Sequence, residues 1–215
     1  MTTPADLLQQ LLRRDGSRPL LTWYDDSSGE RVELSVATAA NWAAKTANLL
    51  VDDHDLGPGD TLALDPPGHW LTAVVVLGAW TAGVGVDLRT GGAGVALPVD
   101  PAQFMRVVLP QPDALLAPPP APDDMAVVTT ERRWSLAELV GAAGSAAPGA
   151  RVMTTLSLDT VDGLLAALVI PLAAGGSAVL VTAGDPARLA DRADTERVTH
   201  TAGFELTALP TVVSG

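Results

Sequence analysis

Cysteine is missing from the 215-residue chain and lysine nearly so, Lys45 standing alone against twelve arginines. Without thiols there is no disulfide framework, no thiol nucleophile and no cysteine-ligated zinc. The shortage of lysine reads first as a bias toward Ala, Gly, Pro and Arg. It also removes a common group of phosphoryl-transfer chemistry. The formal net charge is −12, and a surface of that sign repels the phosphate backbone, so nucleic acid is excluded as a partner. Long apolar runs are absent too. The most apolar stretches, 71–88 and 163–183, are broken by Gly or Pro and fall short of the ~18 uninterrupted residues that mark a membrane helix. The N-terminus MTTPADLLQQLLRRDG lacks the basic start and apolar run of a signal peptide. A cytoplasmic protein with no membrane contact is expected. His54, His69 and His200 have no ligand spacing around them, and no G-x-S-x-G is present. Neither a metal site nor a serine nucleophile elbow is expected.

What is there suits a packed core, since 47% of residues are hydrophobic and 18% charged. Thr3, Pro4 and Asp6 form a helix start at N-cap, first and third positions. LLTWY (20–24) and RVEL (31–34) read as strands around the turn DDSSGE, and Ser35 caps a helix carrying Ala39, Trp42, Ala43, Ala47 and Leu50 at helical spacing. TLALD (61–65) is a strand, PPGHW opens a helix running to Gly83, and VGVDL (84–88) is the next strand. GGAG (91–94) reads as a turn, because the G-x-G-x-x-G spacing is incomplete and no helix opens after it. Residues 101–117 are expected to hold a short helix and one or two strands.

APPPAP (117–122) is a stiff spacer, and a boundary is placed there, giving subdomains 1–117 and 118–215. Beyond it the alternation resumes: strand AVVTT, a helix from Ser135 with a capping box closed by Glu138, strand RVMTTLSL, helix VDGLLAALVIPLAAGG, strand AVLVTAG, polar helix PARLADRAD, strand RVTHTAG, and a last edge element in FELTALPTVVSG. Strands alternating with helices predict an α/β fold, layered α/β/α with two subdomains and mostly parallel sheets.

One loop stands out. In DDMAVVTTERRW (123–134) a buried strand opens onto Glu131, Arg132 and Arg133 with no glycine. Loops that cradle phosphates need inward backbone N–H groups, and glycine permits the required dihedrals. Thr129, Thr130, Arg132 and Arg133 are the candidate residues of a vestigial phosphate loop or ligand site. The blander reading, favoured here, makes the two arginines solvated residues at a helix start.

Three stretches resemble the N-terminal part of the adenylate-forming superfamily, which includes acyl-CoA synthetases, nonribosomal peptide adenylation domains and firefly-type luciferases. They are LTWYDDSSGERVELSVATAANWAAKTANLL, then LGPGDTLALDPPGHWLTAVVVLGAWTAGVGVDL, then LSLDTVDGLLAALVIPLAAGGSAVLV followed by RVTHTAG. They span nearly the whole chain in order. LGPGD and GAWTAGVGVDL are the most family-like, and both are structural rather than chemical. The resemblance implies activation of a carboxylic acid with ATP, through a Ser-, Thr- and Gly-rich loop carrying a Lys. The corresponding place here is Thr129–Thr130, and the Ser-Gly-Thr-Thr-Gly core and Pro-Lys-Gly end have no match. An aromatic–His pair before the long helix is replaced by Asp159 and Thr160. The family's adenine-binding segments, ribose-binding Asp, hinge and C-terminal lid find no place in 215 residues.

The lead expectation is therefore a non-catalytic member acting in binding or protein interaction, as a homodimer or with a protein partner, with no resident cofactor. Two alternatives stay open. One is a subunit of, or partner to, an enzyme that adenylates a small carboxylic acid. The other is a binder of a small acyl or nucleotide ligand, ATP or AMP included, with Thr129, Thr130, Arg132 and Arg133 at the cleft mouth.

Overall fold

The computed structural model describes residues 1–64, 69–89, 97, 100–116, 118–144 and 147–213. The GGAG turn, the first residues of PPGHW and position 117 lie outside them.

Helix α1 (Pro4–Asp15) starts as expected. The Thr3 hydroxyl accepts from the Asp6 N–H, and the Asp6 carboxylate accepts from the Thr3 N–H. Strands β1 (Pro19–Asp25) and β2 (Glu30–Ser35) form an antiparallel hairpin, and Ser35 caps α2 (Val36–Asn48) through the Thr38 N–H. A π-helical turn, Leu49–Asp53, ends that helix. Then come β3 (Thr61–Ala63), α3 (Trp70–Thr81), β4 (Gly85–Asp87) and α4 (Pro101–Val108). Residues Leu71 to Trp80 are buried without exception, so α3 is apolar on every face and lies inside the molecule. It approaches α2 closely at Gly78, where an added Cβ would lie 2.5 Å from the Thr46 Cβ.

The chain continues through β5 (Met125–Val128), β6 (Arg133–Ser135), α5 (Leu136–Ala142), β7 (Arg151–Thr154) and α6 (Val161–Leu164). A π-helical stretch, Leu165–Val169, leads into α7 (Ile170–Ala174). There the Ile170 N–H reaches back five residues to the Leu165 carbonyl, a widened turn that accommodates Pro171, which has no N–H and would crowd an ordinary α-helical turn. Gly175 closes the run in the left-handed region at φ 65°. β8 (Ser177–Thr182), α8 (Pro186–Thr195), β9 (His200–Ala202) and β10 (Thr211–Val213) follow.

The strands form two sheets, in the orders β10-β9-β7-β8-β1-β2 and β3-β4-β5-β6. Every pairing is parallel except the hairpins β1–β2 and β5–β6 at one edge of each sheet. The α/β class and the mostly parallel sheets are as expected. Neither sheet divides at residue 117, because each takes strands from both sides of it. One core joins them: Trp23, Leu180 and Val152 of the first sheet cluster with Leu62, Val86 and Val127 of the second and with α3. The other face of the first sheet, Met153, Val179 and Val181, is covered by Leu189 and Ala193 of α8.

Two expectations are corrected. Among the described residues, 109–116 contain no strand. Side chains of α2 hold the backbone there instead. Lys45 Nζ donates to the carbonyls of Leu109 and Gln111 and pairs with Asp113 at 2.7 Å. Asn48 Nδ2 donates to those of Pro112 and Ala114, and its Oδ1 accepts from the Leu116 N–H. The only lysine of the chain is thus spent on this strap. The second correction concerns Glu131. The chain does not pass from there straight into a helix, because β6 intervenes and pairs Trp134 with Val127 and Arg133 with Val128.

Candidate functional site

The candidate phosphate-loop residues sit on the turn of the β5–β6 hairpin. The Thr129 N–H donates to the Arg132 carbonyl at 2.9 Å, closing the turn. The Thr129 hydroxyl oxygen accepts from the N–H groups of Glu131 and Arg132, each at 3.2 Å. Thr130 donates its hydroxyl hydrogen to the Glu131 carboxylate, which holds that exposed carboxyl below its ordinary range. Arg132 lies 3.7 Å over the Trp134 ring and pairs with Glu138 at 3.1 Å. Arg133 lines a shallow recess of ≈ 530 Å³ that also holds Asp123, Asp124 and Glu138. The structure therefore brings Thr129, Thr130 and Arg132 together but sets Arg133 among carboxylates. The capping box at Ser135 and Glu138 forms as expected.

Behind this turn, at the end of β4, lies a group that the sequence does not flag. Asp87 is 1% exposed. Its carboxylate accepts from Arg89 Nε at 2.9 Å and Nη2 at 2.6 Å, and these bonds hold its carboxyl below the usual range.

A second concavity forms at the C-terminal ends of β7 and β8. The loop after β7 leads to the helix packed in the shared core, and the loop after β8 leads to α8 on the opposite face. Where neighbouring parallel strands send their loops to opposite faces, a crevice opens, and open α/β sheets place ligands there. Here it measures ≈ 410 Å³ and is lined by Thr155–Leu158 and Leu180–Gly184. Ala183 adopts φ 51°, the left-handed region that non-glycine residues seldom enter. Thr182 accepts from Trp23 Nε1 at 2.9 Å. The Trp23 ring lies 4.8 Å from that of His69. His69 caps α3, its Nδ1 accepting from the Leu71 N–H, so the ring proton sits on Nε2. Burial pushes its pKa below the usual value. Asp159 and Thr160 are exposed and lie just beyond the crevice lining. Thr160 is used structurally: its oxygen accepts from Gly163 N–H at 3.0 Å and its hydroxyl donates to Ser157 carbonyl at 2.8 Å. An added Cβ at Gly163 would lie 1.8 Å from that carbonyl, so the loop rests directly on the helix.

Among the described residues no group of three or more His, Asp or Glu side chains is placed to hold a metal, and no helix is long and apolar enough to cross a membrane.

The fold is that of the N-terminal domain of acyl-CoA synthetases. The N-terminal domain of FACL13 from Mycobacterium tuberculosis superposes with a TM-score of 0.77 at 14% identity, covering 94% of this chain and 62% of that one. VinN in complex with L-aspartate gives 0.70 at 14%, covering 94% and 62%. The Brucella canis acyl-CoA synthetase gives 0.69 at 17%, covering 94% and 47%. The chain thus spans from about half to three fifths of these solved chains, and at such identities the likeness concerns the fold. No family model matches the sequence. A protein of Mycobacterium tuberculosis (strain ATCC 25618 / H37Rv), the TIGR03089 family protein, is 33% identical over 241 residues, covering 93% of this chain and 99% of its own length. The chain belongs to the TIGR03089 family.

Proposed function

We propose that this is a non-catalytic, acyl-CoA synthetase-like protein that acts in the cytoplasm by binding or protein interaction, as a homodimer or with a protein partner. The observation that carries the reading is the β5–β6 turn. Its N–H groups at Thr129, Glu131 and Arg132 are bonded within the turn, so they are not presented to an anion. Glu131 adds a negative charge where a polyphosphate would have to approach, and Arg132 is held by Trp134 and Glu138. Electrostatic positioning of phosphates is the main protein contribution to such chemistry, and three of this turn's N–H groups are already spent on the turn itself.

The test is ATP–pyrophosphate exchange over a panel of small carboxylic acids, with thermal unfolding in Mg-ATP, AMP and a non-hydrolysable acyl-adenylate analogue. The expected result is no exchange and no shift. A ligand at a hundred times its dissociation constant adds about 2.7 kcal/mol, a rise of roughly 5–10 °C for a chain of this size. Exchange by the isolated chain overturns the proposal. Exchange only on adding a second chain supports instead an enzyme subunit whose partner supplies the missing groups.

A second reading, a binder of a small acyl or nucleotide ligand, is favoured by the ≈ 410 Å³ crevice at the ends of β7 and β8. A melting shift without exchange, lost when Thr182 or Ser157 is replaced, selects it. Loss in Arg132→Ala would place the ligand at the β5–β6 turn.

A further inference from the structure

Among the described residues four large apolar side chains are exposed: Met1 at the terminus, and Val107, Leu109 and Leu116 at 39%, 53% and 71%. Single exposed leucines are ordinary, but three large apolar groups gathered on one short segment mark a surface that another molecule covers. Val107 lies on the last turn of α4, and Leu109 and Leu116 are the two ends of the strap. Those ends meet one face of α2, since Leu109 is bonded to Lys45 and Leu116 to Asn48, one helical turn apart.

The exposure is built into the backbone. Lys45 Nζ holds the carbonyls of Leu109 and Gln111, Asn48 Nδ2 those of Pro112 and Ala114, and Asn48 Oδ1 the Leu116 N–H. A strap held at these five groups cannot roll to turn Leu109 and Leu116 inward, and a surface already fixed loses little freedom when it is covered. The charge beside it is of both signs. Arg106 precedes Val107 on α4, exposed and without an ion pair among the described residues. On the side of the π-helical turn that ends α2, the exposed Asp53 carboxylate accepts from Gln111 Nε2 at 3.0 Å. A chain of net charge −12 repels its own copies over most of its surface. A face that carries its own cation beside carboxylates is one where a copy can approach, because a two-fold axis through the apolar strip sets Arg106 of each chain toward Asp53 of the other.

We infer that the face formed by α4 and the strap is the docking surface for a second copy of this chain, in a two-fold dimer with Leu109 and Leu116 at its centre and Arg106–Asp53 pairs at its rim. The leucines supply the affinity, and the rim charges fix the register and exclude copies in other orientations. The inference rests on the interaction reading above and gives it a partner and a surface.

Sedimentation velocity of the full chain from micromolar to millimolar concentration tests it. The parent is expected to pass from monomer to dimer. Leu116→Asp and Leu109→Asp, each at an exposed position, bring a charge to the centre of the interface and should raise the dissociation constant at least about tenfold. Arg106→Glu should weaken the dimer as well, and Arg106→Glu combined with Asp53→Arg should restore it, which a general loss of apolar contact would not do. A dimer undiminished in Leu116→Asp and Leu109→Asp, or no recovery in the double charge reversal, would overturn the assignment. Monomers at every concentration would overturn it too, and with no ATP–pyrophosphate exchange they would leave the interaction reading to a different protein partner. A dimer broken by Leu116→Asp in a chain that does perform the exchange would uphold the surface and overturn the non-catalytic reading.

Discussion

β1 and β2 run for seven and six residues before Ser35 starts α2, whereas β5 and β6 run for four and three before Ser135 starts α5. The local unit is the same in both: an antiparallel hairpin at the edge of a parallel sheet, then a serine-capped helix. Anchorage separates them. In the first, Trp23 is 2% exposed and donates to Thr182. Its turn is tied to α8 by Asp26, which accepts from Arg192 at 2.6 Å, and Tyr24 meets Glu196, which Arg151 and Arg31 also bind. In the second, Trp134 is half-buried under Arg132, and the turn bonds mainly to itself. A shared recipe for hairpin and cap therefore does not fix what a unit does. The first is part of the frame. The second is an edge closed on itself.

The sharpest way to break this comparison is to empty each unit of its tryptophan. Trp23→Ala should cost about 3–5 kcal/mol in urea denaturation. Trp134 packs only partly against the core, and Trp134→Ala should cost less, about 1–2 kcal/mol from lost burial and stacking with Arg132. Equal losses would mean that the second hairpin is as deeply anchored as the first.

Acid should act on the first unit next. Arg192 holds the Asp26 carboxyl low. Burial pushes that of Glu196 up, but hydrogen bonds from Tyr24, Arg151 and Arg31 outweigh it and leave it low. The stability they lend is present above the unfolded carboxylate range of about 4 to 4.5 and is lost as pH falls through their folded values. His69 acts earlier in the same direction. Burial depresses its pKa, so below about 6.5 the unfolded chain takes up the proton first and stability declines. In a stability–pH profile His69→Gln should erase the upper decline and leave the lower one. A profile flat down to the carboxylate range in the parent would contradict this.

The caps should show less contrast. Ser35→Ala and Ser135→Ala are each expected to cost about 1 kcal/mol, and a much smaller loss at Ser135 would mean that α5 frays in the parent. The smallest effect is expected where α2 meets α3. The Thr46 hydroxyl is buried without a partner, so Thr46→Val should be neutral or slightly stabilising by calorimetry.

Much of the element order was legible because its signals are local. Thr3, Ser35 and Ser135 announce helix starts by their own side chains, and Gly175 announces an end. Strand order was not, because Trp23 pairs with Leu180 and nothing in the periodicity around either residue names the other. β6 was missed for a related reason: Arg-Trp-Ser is too short and too polar to read as a strand until Val127 and Val128 supply its partner. The same limit applies to the sites. The glycine-free turn could be read from one segment. The crevice needs two loops brought side by side.

The pairing of β1 with β8 also sets the order in which the chain can fold. The first hairpin leaves the ribosome long before its parallel neighbour exists, and the sheet holding β3 and β4 is completed only by β5 and β6. Each sheet must wait for distant sequence, and such non-local pairing makes folding slow. Until β8 arrives, the edge of β1 away from β2 has no strand partner, and an unpaired edge on a nascent chain is the kind of surface that chaperones shield.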